Sequence, residues 1–222
     1  MNIDESIAKL LFPPKCHFCG KVLENDQTDL CHKCRADAPV FIRSKRNFQL
    51  IAQWTAVWYY KGAVRNSIRK FKFYNARSYA IFFGRELAMK LKESSFLEEV
   101  EVLTWVPVSP LRKLWRGYDQ SELLARALGE ELGMEPVSCL KKIRHTKPQS
   151  GIYDKAHRRA NVFNVYQHKN PDFFVRKRVL LVDDVVTTGS TAAECAKALS
   201  VGGADRVFFA ALAATPDEKT RR

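Results

Sequence analysis

Apolar positions along this chain recur with two different periods, and the two periods take turns. Ile3, Ile7, Leu10 and Leu11 repeat at helical spacing until Pro13-Pro14 stops the pattern. A β-branched and aromatic run over 54–60 predicts a strand, and 63–73 predicts a helix with Val64, Ile68 and Phe71 inward. A second helix is expected over 78–92, then an apolar strand over 100–108 that ends in Pro-Val-Ser-Pro. Leu124, Ala127 and Leu128 mark one face of a helix over 120–132, and 137–143 reads as a short strand. The segment 145–159 is polar and basic, the pattern of a loop. Val179-Leu180-Leu181-Val182 reads as a buried strand, 192–200 as a helix and 207–213 as a final strand. Strands alternating with helices predict an α/β fold: a mostly parallel sheet with helices on both faces.

The densest chemistry comes directly after the buried strand. Asp183 and Asp184 stand where it is expected to end, and Val185-Val186-Thr187-Thr188-Gly189-Ser190-Thr191 leads into the helix. Backbone N–H groups of such a loop, with the positive end of the helix behind them, cradle a phosphate. Thr187, Thr188, Ser190 and Thr191 add hydroxyl donors, and Gly189 permits close approach. Carboxylates repel phosphate, so Asp183 and Asp184 are expected to serve an adjoining sugar as acceptors for two ribose hydroxyls, or as an outer shell for Mg²⁺. An ordinary strand–turn–helix with a polar turn is the plainer alternative. The run resembles the fingerprint with which type I phosphoribosyltransferases bind phosphoribosyl pyrophosphate (PRPP), so the expected ligand is PRPP with Mg²⁺.

Charge alters the picture. The 37 Lys and Arg against 24 Asp and Glu give a net charge of +13, which points to anionic partners. Segment 61–77 holds Lys61, Arg65, Arg69, Lys70, Lys72 and Arg77 with no acid, interleaved with Phe71, Phe73 and Tyr74. Arg65, Arg69 and Lys72 share a helix face, and single-stranded nucleic acid is bound by such mixtures of cations and stacking planes. A solvated basic face on a core helix is the competing reading. Arg112, Lys113 and Arg116, and beyond them Arg144, Lys147, Arg158 and Arg159, are expected near the phosphate loop, because ligands of open parallel sheets gather past the carboxyl ends of the strands. No apolar stretch reaches the roughly 20 residues of a membrane-spanning helix, and the start Met1-Asn2-Ile3-Asp4-Glu5 is unlike a secretory signal, so a cytoplasmic location is expected.

Six cysteines fit that compartment if four of them bind metal. Cys16-x2-Cys19 and Cys31-x2-Cys34 form two knuckles whose thiolates complete a tetrahedron around a structural Zn²⁺. A pair of redox dithiols, or a site using His17 or His32, remains open. Cys139 and Cys195 lack a knuckle partner and read as buried apolar fillers. The chain divides into a helix and zinc module over 1–45, a phosphoribosyltransferase-like domain over 46–216 and a tail over 217–222.

Three features together resemble the ComF family of competence proteins (ComFC- and GntX-like). They are the four-cysteine module preceded by Leu11-Phe12-Pro13; Val106-Pro107-Val108 followed by Arg116-Gly117-Tyr118-Asp119-Gln120-Ser121-Glu122-Leu123-Leu124-Ala125; and the PRPP-type loop. Thr146, Gln149, Arg158 and Asn161 are similar to further family elements, whereas Tyr118 and Asp119 replace the usual Phe-Asn pair. The resemblance implies natural transformation: handling of incoming single-stranded DNA in the cytoplasm beside a ComFA-like helicase/ATPase, with a PRPP-binding site. An active phosphoribosyltransferase on a nucleobase or related acceptor is the alternative, and a zinc-ribbon nucleic-acid adaptor without a small-molecule ligand is a third.

Overall fold

The computed structural model describes residues 13–24, 26–74, 76–143 and 165–217. The helix expected over 3–11, the basic loop over 145–159 and the last five residues of the expected tail lie outside the described residues.

Strands β1 (Trp54–Tyr59), β2 (Val102–Trp105), β5 (Arg178–Val186) and β6 (Arg206–Ala214) form one sheet in the order β1-β6-β5-β2. Every pairing in it is parallel, with Val182 facing Trp105 on one side and Ala210 on the other. Its apolar residues are buried on both faces, as covered parallel sheets require. One face receives α2 (Gly62–Phe73), α3 (Ala76–Lys92) and α5 (Gln120–Leu132), which pack on Leu103, Leu180, Val182, Phe208 and Leu212. The other receives α6 (Ser190–Val201) and an antiparallel hairpin of β3 (Leu140–Lys142) and β4 (Tyr166–His168), over Val179, Leu181, Val207 and Phe209.

The inward positions expected on α2 are fully buried: Val64, Ile68 and Phe71. Helices α3 and α5 approach so closely that a Cβ on Gly84 would sit 2.7 Å from the Cβ of Ala127. Two differences from the sequence expectation matter. The run over 137–143 does not join the main sheet; its strand pairs in the β3–β4 hairpin. And the turn expected over 107–116 contains a helix, α4 (Pro110–Arg116), started by Ser109 as N-cap with Pro110 behind it and stopped by Gly117 at φ 76°.

The cysteine module is welded to the sheet domain. Phe18, Leu23 and Leu30 belong to the same buried cluster as the α2–α3–α5 face. His17 stacks on Phe82 at 4.6 Å, and its carbonyl accepts hydrogen bonds from Ser67 and Tyr79. Arg35, in the short helix α1 (His32–Ala36), reaches the buried Glu86 of α3 at 2.6 Å.

Gly84→Ala is a sharp test of this packing. In an ordinary helix the change stabilises by about 1 kcal/mol. Here the added methyl meets Ala127, and overpacking should destabilise by roughly 1–3 kcal/mol in chemical denaturation. A stabilised variant would mean that the two helices do not touch in this way.

Candidate sugar-phosphate site and metal centre

Strand β5 runs four residues further than the apolar pattern indicates, to Val186, so both acids lie inside it. A strand sends successive side chains to opposite faces. Asp183 and Asp184 therefore diverge, and of the two only Asp183 lines the cavity at the loop. Asp184 continues the Leu180 and Val182 row on the α2 face, where its side chain is 5% exposed. There Lys72 Nζ, at the end of α2, meets its Oδ1 at 2.9 Å. Burial works against the Lys72 ammonium, but the two carboxylates more than offset it and its pKa rises.

Asp183 points to the α6 face and stays partly open. Its Oδ1 accepts from Ser121 Oγ at 3.1 Å and from the N–H of Asp184 at 2.8 Å. Burial, and then the negative charge of Asp184, push its pKa up to about 7. Ser121 arrives by way of the run 116–125. Gly117 turns the chain, Tyr118 Oη donates to the Phe71 carbonyl at 2.8 Å, and Asp119 caps α5 by accepting from the N–H groups of Ser121 and Glu122. Asp119 also accepts from Val108 N–H, tying the end of the β2 connection to the same corner.

Beyond Val186 the loop opens. Thr187 and Thr188 are exposed, Ser190 and Thr191 partly so, and Thr188 Oγ1 lies 2.9 Å from Ser190 Oγ. Gly189, at φ 78°, is the N-cap of α6. A side chain there would be strained, and its Cβ would fall 2.1 Å from the Phe48 ring. Residues 183 and 185–192 with Phe209 line a cavity of about 30 Å³, room for on the order of two waters. That is a cradle for the oxygens of an anion, with the body of a ligand outside it. A larger cavity of about 440 Å³ lies beside the zinc module, lined by Phe18, Lys33, Pro39, Lys61 and Ala63 among others. Its lining has one carboxylate, Asp37, and no hydroxyl side chain, so the hydroxyl-rich smaller cavity is the candidate for a sugar phosphate.

Arg46 and Phe48, between the cysteine module and β1, hold this loop. Arg46 donates to the carbonyl of Thr187, donates to the carbonyl of Thr215 at 2.7 Å and pairs with Asp217 at 2.8 Å. Phe48 packs against Gly189 and Trp54. Lys72, Ser121, Arg46 and Phe48 are the site residues whose roles pattern reading missed. Only Ser121 carried a signal, through its place in the 116–125 run. Of the expected cations, Lys113 pairs with Glu122 at 3.1 Å, Arg112 is partly buried, and Arg116 donates to Gln120 at 2.7 Å while lying over Phe73. Arg144, Thr146, Lys147, Gln149, Arg158, Arg159 and Asn161 lie outside the described residues.

The sulfurs of Cys16, Cys19, Cys31 and Cys34 all lie within 4.8 Å of one another, and those of Cys19 and Cys31 are 3.8 Å apart. Four thiolates at about 2.3 Å from a tetrahedral Zn²⁺ have sulfurs roughly 3.8 Å apart, so the donor set fits zinc and closes every coordination position. His17 and His32 are engaged elsewhere, with the Asp29 carbonyl and the Asp26 carboxylate. Cys139 and Cys195 are fully buried, and burial raises both thiol pKa values, which makes them poor nucleophiles.

The zinc centre has a counterpart among known families: residues 7–46 match the double zinc ribbon domain. The chain is 29% identical over 204 residues to competence protein F of Haemophilus influenzae, covering 87% of this chain and 82% of that one. It is 28% identical over 200 residues to the DNA utilization protein YhgH of Escherichia coli K12, covering 86% of each. Among solved structures it is similar to glutamine PRPP amidotransferase from B. subtilis, with a TM-score of 0.44, 22% identity and coverage of 64% of this chain. It spans 30% of that enzyme's length. Among the described residues, no helix is long and apolar enough to cross a membrane.

The Lys72–Asp184 pair sets a measurable balance. Lys72→Met leaves the Asp184 carboxylate buried without its cation and should lower unfolding stability by about 3 kcal/mol. Adding Asp184→Asn should recover most of that loss. Equal stability of Lys72→Met and wild type in denaturant titration would contradict the pairing.

Proposed function

We propose that this homologue of competence protein F serves DNA uptake and utilisation, handling single-stranded DNA in the cytoplasm, with a site for PRPP and Mg²⁺ at the end of β5. The relatives' names, competence protein F and DNA utilization protein, support the first part. One observation carries the second: a partly open carboxylate beside a hydroxyl-rich loop and a helix N-terminus, with the neighbouring carboxylate buried and neutralised. A helicase/ATPase of the ComFA kind is the expected protein partner.

In this reading the loop N–H groups and the hydroxyls of Thr187, Thr188, Ser190 and Thr191 bind the 5-phosphate. Asp183, aligned by Ser121, accepts a ribose hydroxyl. Asp184 holds Lys72 and does not touch the sugar. Mg²⁺, when bound, would supply charge neutralisation on the pyrophosphate. The zinc module is structural and fixes the start of the linker that carries Arg46 and Phe48 to the loop.

A second reading, active phosphoribosyl transfer, is favoured by Arg112, Lys113 and Arg116 on α4, at the same end of the sheet. There an acceptor nitrogen would form a bond to the anomeric carbon as the bond to pyrophosphate breaks, and the cations would stabilise the departing charge.

Calorimetry with PRPP and Mg²⁺ tests the site. Wild type should bind. Thr188→Val, which removes one hydroxyl donor to a charged phosphate, should weaken binding roughly 10- to 100-fold. Absence of binding by wild type would refute the site. The Asp183 pKa, raised to about 7, adds a pH dependence. A ribose hydroxyl donates to the ionised form, so affinity should rise as pH climbs through about 7 and fall below it. The phosphate itself titrates near about 6, so the comparison is with Asp183→Asn, which should lose the upper part of the rise. Superimposable pH profiles would remove Asp183 from the site.

A further inference from the structure

Large exposed apolar side chains collect at one place beside the site. Trp115 is 76% exposed, whereas Trp58 and Trp105 are buried. Phe73 is 46% exposed, and the residues next to Trp115 and Phe73 in the chain, Leu114 and Tyr74, are 82% and 70% exposed. Exposed aromatic side chains in mutual contact on a charged surface mark a candidate contact site. It is also organised. Trp115 meets Phe73 edge to face at 6.0 Å, and the Arg116 guanidinium lies 4.9 Å over the Phe73 ring. Arg116 is held in turn by Gln120 and sits in the field of Asp184. The aromatic shelf is thus fastened to the carboxylate end of β5 through one side chain.

The charge around it selects the partner. Helix α2 carries Arg65, Arg69, Lys70 and Lys72 and no acid. Arg69 stands one turn before Phe73 and Lys70 one turn before Tyr74, and both cations are exposed. Lys72, by its helical position part of this basic face, turns away to Asp184. Exposed aromatic planes flanked by cations at helical spacing fit a polyanion whose flat groups are unstacked, which is single-stranded nucleic acid. In a duplex the bases face one another and the shelf has nothing to stack on.

We propose that Phe73, Tyr74 and Trp115 form a stacking shelf for the bases of a single strand, with its phosphates along Arg65, Arg69 and Lys70. The inference rests on the reading of this chain as a single-strand handler, and assigns that role to one surface. It brings the strand to the Arg116 and Asp184 side of the site without using the phosphate loop.

The test uses the full chain with zinc bound and a fluorescein-labelled oligothymidylate at low salt. Anisotropy should show binding by wild type. Trp115→Ala should weaken it about tenfold, and Trp115→Phe, which keeps a ring, should lose little. Unlabelled oligothymidylate should quench tryptophan emission in wild type and much less in Trp115→Phe, whose other three tryptophans remain, and an unlabelled duplex should compete poorly. If wild type binds and both Trp115→Ala and Phe73→Ala bind equally well, the shelf serves some other partner, such as a protein, and this inference fails while the DNA reading stands. If wild type binds no strand at all, both fail, and the PRPP isotherm is untouched by either result.

Discussion

The ion pair between Lys72 and Asp184 is the contact on which the rest of the site depends. A strand with two adjacent carboxylates must send one to each face. On a fully covered sheet, that means one charge is forced toward the apolar core, where an isolated carboxylate is costly. Lys72, at 2.9 Å, supplies the countercharge and anchors the end of α2 against β5. With one oxygen of Asp184 paired in this way, and the other buried without a hydrogen-bond partner, Asp183 remains at the mouth of the loop, held by Ser121. The same anchoring positions Phe73 and Tyr74, the two residues that follow Lys72 in the chain.

The zinc module bears on the same place from the opposite direction. It is fastened to α3 by Arg35–Glu86 and by the stack of His17 on Phe82. The chain leaving it carries Arg46 and Phe48 across the ends of β5 and β6. Arg46 donates to the carbonyls of Thr187 and Thr215, just past the adjacent ends of β5 and β6, an arrangement that Lys, a point charge, does not reproduce. Phe48 occupies the space that a side chain at position 189 would need. The loop is therefore shaped by Arg46, whose partner Thr187 lies 141 positions away in sequence.

The alternation of periods makes the sheet legible in the sequence, and the helix over 120–132 coincides with its observed bounds because Asp119 and Gly133 cap it. The zinc ligands are legible because Cys-x2-Cys spacing is itself a geometric statement. The features without a sequence signal have physical reasons for lacking one. Helix α4 buries no residue fully, so it has no apolar stripe to show. The 140–142 strand has a partner, 166–168, that is only three residues long. Asp183 and Asp184 look equivalent in the sequence because the apolar run stops at Val182, while the strand itself continues past both. Lys72 looks like a surface cation because the salt bridge that turns it inward joins distant parts of the chain, and no helical period carries that information.

The two centres then divide the labour. The zinc and its ribbon hold a linker in place, and the linker holds a loop. In the proposed reading the loop and Asp183 serve a phosphate and a sugar hydroxyl, and the aromatic and basic α2–α4 edge serves a single strand. The most direct test is a crystal structure of the chain with PRPP and Mg²⁺. The account expects the 5-phosphate on the N–H groups of residues 187–191, a ribose hydroxyl on Asp183, and Asp184 still paired with Lys72. A sugar held by Asp184 with the Lys72 contact broken, or a phosphate bound away from the loop, would contradict it.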